Sequence, residues 1–226
     1  MSLQSLERIL SKQQLNAFLG EVAEEAVRRV AAENSPFRTF QKTYRHKPLE
    51  FVHDSIEFRS DKPTEYQNDI LSHIVSEKRI AVRGPHGIGK TALAAWVVLW
   101  GILTADDCKA ITTASAWRQL TKFLWPEIHK WTGRIKWGKI GREPFTRDEL
   151  LTLSIKRNST CEAFAVASNN ADFIEGAHAQ RIVYIYDESK AVPDATFDAT
   201  EGPSQEPERI RTQRLMLWQS LPQASR

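Results

Sequence analysis

The sequence predicts an α/β fold, a mostly parallel sheet flanked by helices. Three observations predict it. Short apolar runs suited to strands alternate with longer helical segments through the middle of the chain. A glycine-rich turn, Gly84-Pro85-His86-Gly87-Ile88-Gly89-Lys90-Thr91, falls between one such strand and one such helix. A near-continuous apolar run, Arg181-Ile182-Val183-Tyr184-Ile185-Tyr186, reads as a central strand covered on both faces and ends in Asp187-Glu188.

Residues 1–35 carry Leu6, Ile9, Leu10, Leu15, Phe18, Leu19, Val22, Ala26 and Val30 at helical spacing, with charge on the other face. This predicts one long or two short amphipathic helices, stopped by Asn34-Ser35-Pro36. Residues 36–62 hold Arg38, Lys42, Arg45, His46 and Lys47, and read as a basic, aromatic-containing linker arm. Such an arm can track a nucleic-acid backbone, but a solvated linker is the commoner meaning of a charge run. A helix is expected from Pro63, carrying Tyr66 and Gln67. Gln67 offers a donor and an acceptor to an adenine edge, and Tyr66 can pack on the ring. Arg79–Val82 is the next strand and Ala92–Trp100 a buried helix. Lys109–Thr113 is a second strand, Ala116–Trp131 a helix, and Leu150–Ile155 with Cys161–Val166 a hairpin or two neighbouring strands.

The glycine-rich turn fits G-x-x-x-x-G-K-[ST], the phosphate-binding P-loop, in its proper strand–loop–helix context. Glycines let backbone N–H groups converge on an anion, and the following helix start adds partial positive charge. Lys90 can reach the β- and γ-phosphates of ATP, and the Thr91 hydroxyl can ligate Mg2+. An apolar strand ending in acid is the partner motif, Walker B. It places Asp187 where it can hold Mg2+ and Glu188 where it can polarise an attacking water. The acid pair narrows the class to P-loop NTPases of the additional-strand, catalytic-glutamate type, which includes helicases, AAA+ proteins and viral packaging motors.

The composition bounds the rest. With 226 residues, 41% of them hydrophobic and 26% charged, the chain can bury a substantial core. A formal charge of +3 permits a nucleic-acid partner without requiring one. Six of the seven tryptophans, Trp96, Trp100, Trp117, Trp125, Trp131 and Trp137, are expected mainly in the core, with base stacking the lesser use. Cys108 and Cys161 make no metal or disulfide framework and read as free thiols in a reducing compartment. No apolar run is long enough to span a bilayer, so a soluble chain in the cytoplasm of a bacterial host cell, with no membrane partner, is expected.

Several segments together resemble the ATPase domain of the large terminase subunit of tailed phages and prophages. They are Pro48–Val52, Tyr66–Leu71, Val82–Ala92, Thr112–Gln119 and Gly176–Arg181 running into Asp187-Glu188. The resemblance implies an ATPase domain over 63–202 that drives double-stranded DNA packaging. It implies a homo-oligomeric ring and, as partners, a small terminase subunit and a portal. Gln67 is then the adenine-side residue and Arg83 an arginine stabilising transition-state charge in cis, with Arg118 and Arg181 as weaker candidates for action across a ring boundary. A helicase-like or defence ATPase, or a nucleotide-binding remnant that does not hydrolyse, stays open beside it. Only 38 residues follow Glu188, so no nuclease domain of the family's kind is expected and the chain should not cut DNA.

Residues 203–226 depart from the pattern. They are rich in Pro, Arg and Gln, and read as an atypical tail lacking the strand that should follow Walker B. Restoring one base after the Gly202 codon permits a reading closer to the family's, so a frame shift is the expectation. A core ending near residue 202, a mobile tail and weak turnover follow from it.

Overall fold

In the computed structural model, residues 12–167, 178–189, 192 and 211–219 are described, and two units separate at Thr39 and Phe40. In the first unit, helix α1 spans Lys12–Glu33. Its helicity follows from a run of Ala, Leu, Glu and Arg without Pro. Phe18, Leu19, Val22, Val27 and Val30 are all exposed along it. The expected helix is present, and residues 1–11 lie outside the described residues.

The stretch expected to be a linker is structured. Helix α2, Pro36–Tyr44, begins on a proline whose missing N–H costs nothing in the first turn. Its residues Phe40, Gln41 and Tyr44 are buried. Helix α3, Pro48–Ser55, starts the same way and buries Phe51 and Val52. The Phe40, Tyr44 and Phe51 rings meet at centroid distances of 4.7–6.5 Å. The basic residues alternate with these aromatics at helical spacing, so the charge run masked an amphipathic pattern.

Among the described residues, seven strands form one sheet in the order β1-β7-β6-β2-β5-β4-β3. They are β1 Arg79–Gly84, β2 Cys108–Ala114, β3 Leu150–Leu151, β4 Ser154–Lys156, β5 Cys161–Ala165, β6 Arg181–Asp187 and β7 Arg211–Gln219. The first five in spatial order run parallel, and β4 and β3 extend the edge antiparallel. The α/β expectation is met.

One expectation is reversed. Arg211–Gln219 is no tail: it is a strand seated between β1 and β6, pairing Arg79↔Arg214 through Gly84↔Gln219 and Arg181↔Arg211 through Tyr186↔Met216. The missing strand was the ground for the frame shift, for a core ending near residue 202 and for weak turnover. With the strand in place those expectations lose their basis. Its Leu215 is buried.

Helix α4 spans Glu65–His73 and helix α5 spans Lys90–Thr104. Thirteen of the 15 residues of α5 are buried, as its all-round apolar sequence demands. On one face of the sheet, Val183 approaches Gly101 of α5. On the other, Ile182, Tyr184 and Tyr186 cluster with Ile111 and Val166. Strand β6 is therefore buried on both faces, as its unbroken apolar run predicts. Trp96, Trp100, Trp125 and Trp131 lie in the core, while Trp117 is 47% exposed.

The helix expected from Ala116 to Trp131 is interrupted. Helix α6, Trp117–Gln119, leads into a π-helical turn, Leu120–Leu124, and then helix α7, Trp125–Thr132. Pro126 explains the turn. It has no N–H for the Lys122 carbonyl, and its ring collides with that group in a regular helix. The ladder slips by one, and Trp125 N–H bonds the Leu120 carbonyl instead.

Candidate nucleotide-binding site

Parallel strands point their carboxyl ends to one edge of the sheet, and ligands bind there. At this edge β1 delivers Gly84, β2 delivers Ala114, β6 delivers Asp187 and β7 delivers Gln219. The register fixes their juxtaposition: Ala114 pairs with Asp187 and Gly84 with Gln219. A pocket of about 470 Å³ opens here, lined by His86, Gly87, Gly89, Lys90, Thr91, Gln119, Phe123, Asp187 and Glu188. The two predicted motifs, with 95 residues intervening between Thr91 and Asp187, meet in this space.

The loop is built as its sequence requires. Gly87 and Gly89 sit at φ 80° and 85°, in the left-handed region that favours glycine. A Cβ on Gly89 would also lie 2.7 Å from Gln67 Nε2. Lys90 is buried, and its ammonium donates to the carbonyls of Gly84 at 2.8 Å and Pro85 at 2.7 Å. Burial lowers its pKa, while the charges of Glu188 and Asp187 pull the other way. The Pro85 carbonyl is bonded within the loop by Lys90, and the Ile88 carbonyl accepts from outside it, from Tyr66.

Tyr66 and Gln67 bond to the loop itself. The Tyr66 hydroxyl donates to the Ile88 carbonyl. Gln67 Nε2 donates to the Gly89 carbonyl at 2.9 Å. Gln67 Oε1 accepts from the Thr64 N–H at 2.9 Å and the Thr64 hydroxyl at 3.1 Å. Gln67 is buried, so its acceptor is taken up by the start of α4 and a donor by the loop. In this structure the pair braces the P-loop through these bonds.

The acid pair ends β6 and lines the same pocket as the loop. Asp187 is buried, and its carboxyl is pushed up to about 6, by burial first and by repulsion from Glu188 second. The Glu188 backbone N–H and Lys90 oppose that rise. Glu188 is half-buried with φ 51°, a left-handed conformation unusual for a residue with a side chain. Backbone strain of this kind, of order 1–3 kcal/mol, persists where surrounding structure enforces it and clusters at functional sites.

The donor set fits Mg2+. A buried carboxylate raised by a neighbouring acid favours a cation, and the Thr91 hydroxyl lines the same pocket. Among the described residues no three His, Cys, Asp or Glu gather as a metal cage. Mg2+ suits that arrangement, because it takes one or two protein oxygens and completes its shell with phosphate and water.

The three arginines fare differently. Arg83 is exposed on β1 and is not among the lining residues. Strand alternation explains this, since Val82 and Gly84 are buried on either side of it. Arg181 is corrected outright. It is buried at the amino end of β6, the far edge from the pocket. There it donates to Thr104 Oγ1 at 2.9 Å and to the Arg45 carbonyl, and lies 4.2 Å from the Trp100 ring centroid. That is an arginine built into the core of its own chain. Arg118 is exposed on α6, beside Gln119. Of the segment preceding β6, Gly176 and Ala177 lie outside the described residues.

Gln119 and Phe123 line the pocket without having been assigned a role, and Gln219 reaches its edge by register. The signal for Gln119 was its place just after a strand that shares the site's edge.

No family model and no curated protein matches this chain. Among solved structures it is similar to the large terminase from a thermophilic bacteriophage, with 13% identity and a TM-score of 0.45. It is similar also to that terminase in complex with ADP, with 12% identity and a TM-score of 0.43. Each alignment covers 75% of this chain and 37% of the other, so this chain corresponds to little over a third of those proteins. No helix among the described residues is long and apolar enough to cross a membrane.

Proposed function

We propose that the chain binds and hydrolyses Mg·ATP as the motor module of a double-stranded DNA packaging machine. The observation that carries the nucleotide part is the meeting of the P-loop, Lys90 and the Asp187-Glu188 pair in one pocket. The loop N–H groups and the amino end of α5 take the phosphates. Lys90 turns from the loop carbonyls to the β- and γ-phosphate oxygens, exchanging two neutral acceptors for anionic ones. Asp187 and Thr91 hold Mg2+, which supplies neutralisation of the phosphate charge when bound. Glu188 accepts a proton from the attacking water as its oxygen closes on the γ-phosphorus, and ADP leaves.

The DNA part of the reading is supported by the spread of sequence segments that resemble the large terminase ATPase domain. On that reading the partners are duplex DNA, a small terminase subunit, a portal and further copies of this chain in a ring, in the cytoplasm of a bacterial host. The pocket gives no role to Arg83 in cis, so an arginine from a neighbouring copy is the simpler source of transition-state charge.

The test pairs two variants. Lys90→Ala is expected to weaken ATP binding by about 100-fold or more, because a charged partner is lost from a buried triphosphate. Glu188→Gln is expected to keep Mg·ATP binding and lose hydrolysis. Duplex DNA should raise ATP turnover without strand separation. Unchanged ATP affinity in Lys90→Ala contradicts the nucleotide site. Turnover indifferent to duplex DNA, or accompanied by unwinding, contradicts the packaging role.

A further inference from the structure

Gln119 lines the pocket together with the P-loop residues, from the segment that follows β2. Its position is set by the sheet: Ala114, the last residue of β2, pairs with Asp187. Five residues later the chain has turned into α6 and presents Gln119 to the space in front of the acid pair. Its side chain is anchored. Gln119 Oε1 accepts a hydrogen bond from Ser115 Oγ at 3.0 Å, which leaves the amide N–H groups as the end available to a ligand. Gln119 shares the pocket lining with His86, Gly87, Gly89, Lys90 and Thr91 of the loop.

The backbone after Gln119 is also unusual. The π-helical turn Leu120–Leu124 begins at the next residue, and such turns occur frequently at functional sites. It carries Phe123, 60% exposed, onto the pocket wall. A phenylalanine that exposed gains little from burial in the free protein, so packing does not account for its placement.

We propose that Gln119 reads the terminal phosphate of a nucleoside triphosphate, donating an amide hydrogen bond to a γ-phosphate oxygen, with Ser115 fixing the amide's orientation. The inference rests on the nucleotide-binding reading above and adds to it the residue that separates triphosphate from diphosphate. The physical basis is geometric. The loop N–H groups and α5 contact phosphates that ATP and ADP share, whereas Gln119, five residues beyond the Ala114–Asp187 pair, lines the pocket together with Lys90, Asp187 and Glu188, the groups the reading above sets around the third phosphate. A hydrogen bond to a charged oxygen is directional and stronger than one between neutral groups. It is made in the triphosphate state and absent in the diphosphate state.

The test uses the full 226-residue chain and two probes, Mg·ADP and the non-hydrolysable Mg·β,γ-imido-ATP, by isothermal titration. Gln119→Ala is expected to weaken the imido-ATP by about tenfold and ADP by less than about twofold. Gln119→Glu, which sets a carboxylate against the γ-phosphate, is expected to weaken the imido-ATP further, again with little effect on ADP. Ser115→Ala is expected to lower triphosphate preference by roughly threefold, since it only frees the amide to rotate. Gln119→Lys restores a donor and is expected to restore the preference, which a merely structural role does not explain. Thermal melts of each variant confirm an intact fold. Equal shifts for both nucleotides, or no shift for either, overturn the role of Gln119 and leave the nucleotide site standing. A wild-type chain that binds neither probe overturns the nucleotide reading itself.

Discussion

Strands β6 and β7 are neighbours, parallel and both central, yet their sequences have little in common. β6 reads Arg-Ile-Val-Tyr-Ile-Tyr-Asp, and every residue in it is buried. β7 reads Arg-Thr-Gln-Arg-Leu-Met-Leu-Trp-Gln, with four polar residues before its first apolar one. Apolar burial specifies β6 on its own. β7 is held in place through the partners on each side, since an open slot between β1 and β6 leaves two ladders of N–H and C=O groups to satisfy. One central strand is thus dictated by its residues and the other by its neighbours.

The largest effect expected from this contrast is that of deleting residues 203–226. β1 pairs with β7 and with no other described strand, so the deletion detaches the P-loop strand from the Walker B strand. Loss of cooperative unfolding and of nucleotide binding is expected by circular dichroism and titration. A shortened chain that still melts sharply and binds ATP would show that β1 and β6 can pair directly.

Next comes the core residue of β7. Leu215→Ala is expected to cost ~2–5 kcal/mol in chemical denaturation, as for other buried leucines. A cost below ~1 kcal/mol would mean that β7 is held by its backbone alone.

Third is the acid that ends β6. The Asp187 carboxyl is raised from 3.8 to about 6 in the fold, so the folded state holds this proton more tightly than the unfolded chain does. The contribution is stabilising below about 3.8 and is lost as pH rises through about 6. Asp187→Asn is therefore expected to raise stability by roughly 1–3 kcal/mol at pH 7.5, and to change it little at pH 4, measured in EDTA without nucleotide. A gain of the same size at both pH values would assign the effect to hydrogen bonding and not to charge.

The smallest effect lies where β6 meets α5. A Cβ on Gly101 would sit 3.3 Å from Val183 Cγ2 and 3.5 Å from Cys108 Sγ. That crowding opposes a helix-propensity gain of ~0.5–1 kcal/mol, so Gly101→Ala should be nearly neutral. In a Val183→Ala background the same substitution should stabilise by up to ~1 kcal/mol, a non-additivity read from a double-mutant cycle.

Much of the candidate site was legible because its motifs are local. A phosphate loop needs glycines, a lysine and a hydroxyl at fixed offsets, and Gly87, Gly89, Lys90 and Thr91 occupy them. The bonds of Tyr66 and Gln67 to the loop carbonyls were not legible: an amide suits an adenine edge and a backbone carbonyl equally, and the sequence does not place α4 against the loop. Charge misled twice. Residues 36–62 looked like a linker until their aromatics were seen to share helix faces, and Arg181 looked available until its guanidinium was found stacked on Trp100.

The sequence by itself determined the alternation of strand and helix, the P-loop, the acid-tipped β6 and the all-round apolar helix α5. Each of these depends on spacing within a dozen residues, which backbone geometry turns directly into local structure. Tertiary structure alone decided that β7 is inserted between β1 and β6, that Gln119 borders the pocket and that Gln67 braces the loop. Those depend on which backbone groups lack partners and which side chains meet across the sheet. Such facts arise from the closing of the fold and leave no local trace in the chain.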